Sequence, residues 1–259
     1  MDKGKYMKKK IIIIAVIVLV LLGVGEFFYR NWLSPRLEVY NAVQDAVPDV
    51  GEPFEYFTDF SIENDNTFTF EDGHISIELP ADFAEVEPRK YSRMSAEYER
   101  GENEWLWVVE PTMQNTRFFF STGKYSNKIS FPKQDAVKKA FEGFGLGYPE
   151  KAYDLFKAIY LLENEHYNFF DLDAAKTFLF AGDYKARGFA DETTLIYERD
   201  DIRGFIDIRD HGNPDENGNY TLSLRIFTTD DLDVRTVIQI RTSSLEEAYG
   251  IINSAKSVK

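Results

Sequence analysis

The sequence predicts an α+β fold: an N-terminal transmembrane helix, then an antiparallel sheet packed with helices, with a mostly helical insertion between two groups of strands. Three observations predict it. Residues 11–25 are an unbroken apolar run. Two stretches, from 67 to 121 and from 193 to 241, alternate apolar and polar residues with the period of strands, and 134–187 between them repeats apolar residues at helical spacing.

The apolar run IIIIAVIVLVLLGVG is about 22 Å long as a helix, short of a hydrocarbon layer of about 30 Å. Carried on through Glu26 to Phe27, Phe28 and Tyr29 it reaches a full span. Lys10 can then snorkel at one end, and Tyr29 and Trp32 suit the opposite interface. Lys3, Lys5, Lys8, Lys9 and Lys10 precede the run, while only Arg30 and Arg36 follow closely. The positive-inside rule therefore places the N-terminus in the cytoplasm and the rest beyond a cell membrane crossed once. The expected organisation is a cytoplasmic basic tail at 1–10, a signal anchor at 11–29, a stalk and linker at 30–53, and an extracytoplasmic domain at 54–259 with its helical insertion at 134–187. Gly23-Val24-Gly25 offers a rival reading, cleavage after Gly25 with release of the domain.

Charge divides with this organisation. Up to Ser34 the chain carries +4, so with −14 overall the remainder carries −18. Such an acidic domain repels phosphate backbones, which excludes nucleic acid as a partner. There are no cysteines, which removes disulfides, thiol nucleophiles and cysteine zinc sites. The domain must stand on its packing, and an aromatic content of 15% supplies large groups for it.

After Pro35 the spacing Leu37, Tyr40, Val43, Val47 predicts a short stalk helix that ends before Pro48. Phe68 and Phe70, the turn Glu71-Asp72-Gly73, and Ile75, Ile77 and Leu79 form a hairpin closed by Pro80. Strands follow at 95–100, 104–110 and 117–121. The first helix of the insertion carries Val137, Ala140, Phe141 and Phe144, and the second Leu155, Phe156, Ile159 and Leu162. The third carries Leu172, Ala175, Leu179 and Ala186 along one side. Strands return at 193–198, 202–209, 219–227 and 234–241. Ser244-Leu245-Glu246-Glu247 is a capping box opening a last helix.

The stretch Asp72-Gly73-His74-Ile75-Ser76-Ile77-Glu78-Leu79-Pro80-Ala81-Asp82-Phe83, taken with the strand at 234–241 and the closing helix, resembles the two ends of the PsbP/Mog1-like sandwich superfamily. The layout as a whole also resembles membrane-anchored proteins of Gram-positive bacteria. The superfamily resemblance implies a non-catalytic module that binds or assists other proteins.

Motifs for chemistry are thin. His74, His166 and His211 lie far apart with no paired-ligand spacing, so neither a metal site nor a Ser-His-Asp triad is predicted, and no cofactor is expected. Ser121-Thr122-Gly123-Lys124 and Ser130-Phe131-Pro132-Lys133 match S-x-x-K, but Gly123 and Pro132 oppose the helix that motif needs. Gly143-Phe144-Gly145-Leu146-Gly147 follows a helix, so it predicts a helix terminator where a dinucleotide loop would follow a strand. Residues 213–218 space oxygen ligands as a calcium loop does, yet the twelfth position is Leu224, which favours a hairpin tip over a weak calcium site. Asp200, Asp201, Asp230, Asp231 and Asp233 leave room for a carboxylate pair.

Aromatics carry the residue-level expectation. With the third helix's stripe on Ala175 and Leu179, Phe180 and Tyr184 fall on the opposite side, and Phe169 and Phe170 precede the helix. These four are the candidate binding residues, either covered by a second layer or open to a partner. The expected function is an anchored extracytoplasmic binding or assembly module, with the lipid bilayer and an envelope protein or wall component as partners. A carboxylate-dependent cell-wall hydrolase is the alternative.

Overall fold

The computed structural model describes residues 3–46, 57, 66–70, 75–87, 94–114, 125–188, 192–228 and 230–258. Helix α1 (Lys3–Phe28) passes through one π-helical turn, Tyr29–Leu33, into α2 (Ser34–Ala46). The stalk helix expected after Pro35 thus starts before it and continues the apolar helix α1. A proline at this position has no N–H to donate and crowds the carbonyl of Asn31 four residues back. The wider turn, closed by Ser34 N–H donating to the Tyr29 carbonyl, accommodates both. Among the described residues, one helical stretch, Val16–Asp45, is long and apolar enough to cross a membrane.

The fold beyond it is α+β. Strands β1 (Asn66–Phe70) and β2 (Ile75–Leu79) pair antiparallel, and β10 (Lys256–Ser257) joins the other side of β2. A second, wholly antiparallel sheet contains β3 (Ala84–Val86), β4 (Met94–Arg100), β5 (Glu104–Met113), β6 (Glu192–Glu198), β7 (Ile202–Arg209), β8 (Tyr220–Thr228) and β9 (Asp231–Thr242). Its order is β3-β4-β5-β9-β8-β7-β6. Strands β3, β4 and β5 of the first group therefore share one sheet with the second group, joined where β5 pairs with β9, while β1 and β2 stand apart from it with β10. The strand expected at 117–121 lies outside the described residues.

One face of this sheet is a continuous apolar surface. Ala96, Val108, Ile238, Leu224, Ile206 and Leu195 are successive cross-strand partners. Tyr98, Leu106, Ile240, Leu222 and Ile208 form the next row. They pack against Ile75, Ile77 and Leu79 of β2 and Ala248, Ile251 and Ile252 of α6 (Leu245–Asn253). Each such buried side chain contributes about 1.5–3 kcal/mol. Gly204 stands where β7 passes β8 most closely: a Cβ there would lie 2.2 Å from the Arg225 carbonyl oxygen, so only glycine fits without moving a strand.

The other face takes the helical segment. Ile196, Phe205 and Phe227 receive Tyr153, Phe156 and Tyr160 of α4 (Ala152–Tyr160). A further apolar cluster joins the other side of α4, with Leu155 and Ile159, to α3 (Gln134–Gly143), α5 (Leu172–Gly188) and α2, burying Val137, Phe141, Phe178 and Leu179 as well. Val39 and Val43 of α2 sit in the same cluster, 0% and 4% exposed. The long apolar helix therefore continues into the core of the helical layer.

Arg100 ties the edges together. Its guanidinium donates to Glu104 at 2.7 Å, to both carboxylate oxygens of Glu247 on α6, and to Asp82, and it lies 4.6 Å over the Phe83 ring. The Ser244 hydroxyl accepts from Glu247 N–H at 3.2 Å, half of the expected capping box. The Glu247 carboxylate goes to Arg100 instead of back to the helix start. Burial pushes the Glu104 carboxyl up, but its hydrogen bonds from Arg100 and Ser243 outweigh that and hold it down to about 2, against an ordinary 4.5. A depressed carboxylate stabilises the fold fully above its unfolded value and loses that contribution as pH falls through the folded one. Acid titration of the melting temperature should therefore show a loss between about pH 4.5 and 2. Arg100→Ala should cost about 3 kcal/mol in chemical denaturation and flatten that window, since leaving the partners unpaired is the dominant penalty. An unchanged acid profile would show that the clamp contributes nothing.

Candidate functional site

The segment between α4 and α5 is shaped by short polar side chains. Glu163 N–H donates to His166 Nδ1 at 2.8 Å, closing a tight turn. Asn168 Oδ1 accepts from the N–H groups of Phe170 at 3.0 Å and Asp171 at 3.4 Å, and Asp171 Oδ1 accepts from Asp173 at 3.1 Å and Ala174 at 3.0 Å, capping α5. These successive turns use Asn and Asp as local acceptors and push Phe169 and Phe170 outward.

What they meet is the junction of α1 and α2. Phe28 stacks on Trp32 with centroids 4.8 Å apart, and Trp32 lies 6.5 Å from Phe169 and 6.4 Å from Phe170. Tyr40 meets Phe169 at 6.3 Å and Tyr167 at 6.2 Å. The Arg36 guanidinium sits 4.5 Å over the Trp32 ring, donates to the Trp32 carbonyl at 2.8 Å, and reaches across to the Phe170 carbonyl at 3.1 Å. Phe169 is half-buried here, whereas Phe170 is 74% exposed.

The four candidate aromatics thus divide in two. Phe180 and Tyr184 do not stand open on a single-faced helix. Phe180 lies 4.0 Å from the Phe131 ring and 6.0 Å from Tyr125, because the segment leading into α3 folds over it. Tyr184 meets Phe156 at 6.3 Å and bridges the two apolar clusters of the helical layer. Both are half-buried and belong to the packing. The sequence signal for the true junction was present in the i, i+4 pairs Phe28–Trp32 and Trp32–Arg36, but their approach to Phe169 and Phe170 is a contact across 134 residues.

A cleft of about 530 Å³ opens beside the junction, lined by Lys139, Phe144, Glu165, His166, Tyr167 and Asp171 with their neighbours. Glu165 and Asp171 bring two carboxyl groups to it, one of whose oxygens is committed to capping α5.

Elsewhere the candidate motifs are absorbed by the fold. Gly143-Phe144-Gly145-Leu146-Gly147 ends α3, with Gly145 and Gly147 at φ of 77° and 84°. Lys133 precedes α3 in extended conformation, so the pair Ser130 and Lys133 shares no helical face. His74 and Ser121-Thr122-Gly123-Lys124 lie outside the described residues. The Thr193 hydroxyl contacts His211 Nδ1 at 3.1 Å. Asp215 accepts the N–H groups of Asn217 at 2.8 Å and Asn219 at 3.0 Å and pairs with Arg241. The Asn219 backbone bond leads the interactions that lower its carboxyl, which is spent on the hairpin tip at 213–218. Asp201 accepts from Ser257 N–H, Asp231 from Asp233 N–H, and Asp233 from Ala152 N–H and Lys151. Among the described residues no group of three or more His, Asp or Glu could hold a metal ion.

Deep between sheet and helices, Arg225 pairs with Asp207, which also accepts from the Thr194 hydroxyl at 2.7 Å. Burial pushes the neighbouring Tyr160 phenol well up, and burial together with the Arg225 charge lowers Arg235. This pair lies at the interface of the two layers, with side chains 12% and 7% exposed. No protein-family model matches the chain, and no curated protein matches it either.

Losing two half-buried rings removes about 2 kcal/mol each, and about 1 kcal/mol shifts the melting temperature of a domain this size by roughly 2–4 °C. The double change Phe180→Ala and Tyr184→Ala should therefore lower melting by about 10 °C, as read by circular dichroism. A shift of only a degree or two would return these rings to the candidate binding surface.

Proposed function

We propose that the chain is a membrane-anchored extracytoplasmic module that binds a protein or cell-envelope component and acts by presenting a surface at a set height above the bilayer. The observation that carries this reading is the continuity of α1 with α2, whose Val39 and Val43 are core residues of the helical layer. A domain on a flexible tether sweeps a volume. One whose anchor runs into its own core holds one pose, as a component of a surface assembly needs. Retention of the anchor is supported by the same continuity: α1 passes Gly23 and Gly25 without a break, so cleavage after Gly25 would cut a helix that leads directly into the packed layer. The lysines before the span support a cytoplasmic N-terminus. The PsbP/Mog1-like resemblance of the two ends implies the same class of non-catalytic module.

A second reading rests on the cleft. Glu165 and Asp171 both line it, the minimum for acid–base hydrolysis of a wall glycan. Against it, many of the other carboxylates form structural pairs, with Arg100, Lys151, Lys157, Arg225 and Arg241 each holding one or more of them.

Protease added to spheroplasts should digest the chain beyond about residue 31 and spare the lysine-rich tail, and protection of the domain would overturn the orientation. Photo-crosslinking in intact cells should then give a discrete adduct with an envelope protein or wall fragment. Release of soluble wall fragments by the purified full chain, abolished by Glu165→Gln, would instead establish the hydrolase.

A further inference from the structure

We propose that the loop carrying Phe169 and Phe170 is a second membrane contact, entering the outer headgroup boundary of the same bilayer that α1 crosses and so fixing the pose of the whole domain. The inference rests on the reading of α1 as a transmembrane anchor and adds to it a specific lipid-facing surface.

The depth follows from helix geometry. Counting from Ile11, where the apolar run starts, Trp32 is reached after about 32 Å of helix, against a hydrocarbon thickness of about 30 Å. Trp32 therefore arrives at the outer boundary, the level that tryptophan and tyrosine favour. Glu26 falls below that level, but it is one turn from Arg30 and paired with it, and the arginine can carry the pair's charge toward the headgroups.

The Phe170 ring is 6.4 Å from Trp32, so it shares that depth to within the width of a side chain. It is also held there. The turns made by Asn168 and Asp171 fix its backbone, and Arg36 grips its carbonyl while stacking on Trp32. A phenylalanine fixed at a loop tip with 74% of its surface open is paired in this fold with a run of exposed apolar residues. Phe27, Phe28 and Tyr29 are 70%, 50% and 52% exposed. The two surfaces are continuous through Trp32, and the second of them is the end of the membrane helix.

The bilayer is the occupant this continuity selects. A protein partner would have to cover Phe170 while leaving the adjoining helix end to lipid. Arg36 at the same level suits the phosphates of lipid headgroups. The Asp171 carboxylate, the nearest acidic group in sequence, is turned to the first amides of α5.

The chain has no cysteine, so a single introduced thiol can be labelled uniquely. Full-length protein carrying Phe170→Cys, Leu19→Cys or Glu102→Cys, each with an environment-sensitive fluorophore, is reconstituted in vesicles of phosphatidylcholine and phosphatidylglycerol. Emission is then read with a headgroup-level nitroxide lipid, with a nitroxide carried deep on an acyl chain for position 19, and, separately, with aqueous iodide. Position 170 is open enough that the substitution leaves the fold intact, which melting checks. The label at 170 should lose about half of its emission to the nitroxide lipid and resist iodide, and the label at the exposed turn residue Glu102 should do the reverse. Iodide quenching at 170 equal to that at 102 overturns the proposal, and so does a label shielded from both quenchers, which indicates a covering protein or second copy. Leu19 separates the two levels: its failure to meet lipid would remove the anchor reading itself, whereas lipid contact at 19 without contact at 170 removes only the loop's role.

Discussion

The seven-stranded sheet has apolar side chains on both faces, and this sets the architecture. Ile206 and Leu224 point to one side while Phe205 and Phe227 point to the other, and all four are buried. A strand whose successive residues are all apolar cannot leave either face to water. Two covers are required, and they come from different parts of the chain. The ends of the domain supply one, with β2, β10 and α6 closing over the first face. The middle supplies the other, with α4 laid on the second face and α3 and α5 behind it. The helical layer in turn has an apolar side of its own, which α2 fills with Val39 and Val43. The N-terminal apolar helix is thus coupled to the sheet through a chain of buried contacts.

Charge is organised around the same layers. An acidic domain without disulfides resists its own repulsion by placing arginines and lysines where carboxylates converge. Arg100 gathers Asp82, Glu104 and Glu247 from three elements, and Lys151 and Lys157 pin α4 to β9 and β6 through Asp233 and Glu198. Such pairs are modest where exposed, but a cation shared among several partners loses less side-chain entropy per bond formed. Among the described residues, part of the sequence's abundance of carboxylates is taken up by these joints and by turn caps such as Asp171, Asp215 and Asp231.

The aromatic junction joins two different demands. Phe28, Trp32 and Tyr40 lie along a helix that passes from an apolar stretch into the packed layer, and Phe169 and Phe170 lie on a loop that has to start α5 at a defined angle. Arg36 serves both by stacking on Trp32 and holding the loop's carbonyl. The π turn at Tyr29–Leu33 sets the facing of α2 relative to α1, so Pro35 and the junction are parts of one device.

Local periodicity was enough to determine the longer described elements, though not the short strands β3 and β10. The alternation Leu222, Leu224, Ile226 marks a strand, the spacing Val137, Ala140, Phe141 marks a helix, and the glycines after Gly143 mark its end, because each depends on near neighbours. Composition likewise determined the apolar span and the acidic character of the remainder. Three things were decided only in the folded chain. Strand β5 lies beside β9, across more than a hundred residues, because their apolar rows continue one another and the sheet must close its first face. Phe180 and Tyr184 are taken into the packing while Phe169 and Phe170 meet the junction of α1 and α2. The period of a helix says which residues share a side but not what will cover that side. And Pro35, which locally reads as a helix start, is carried inside a continuous helix, because burying Val39 and Val43 rewards the continuation more than the proline opposes it.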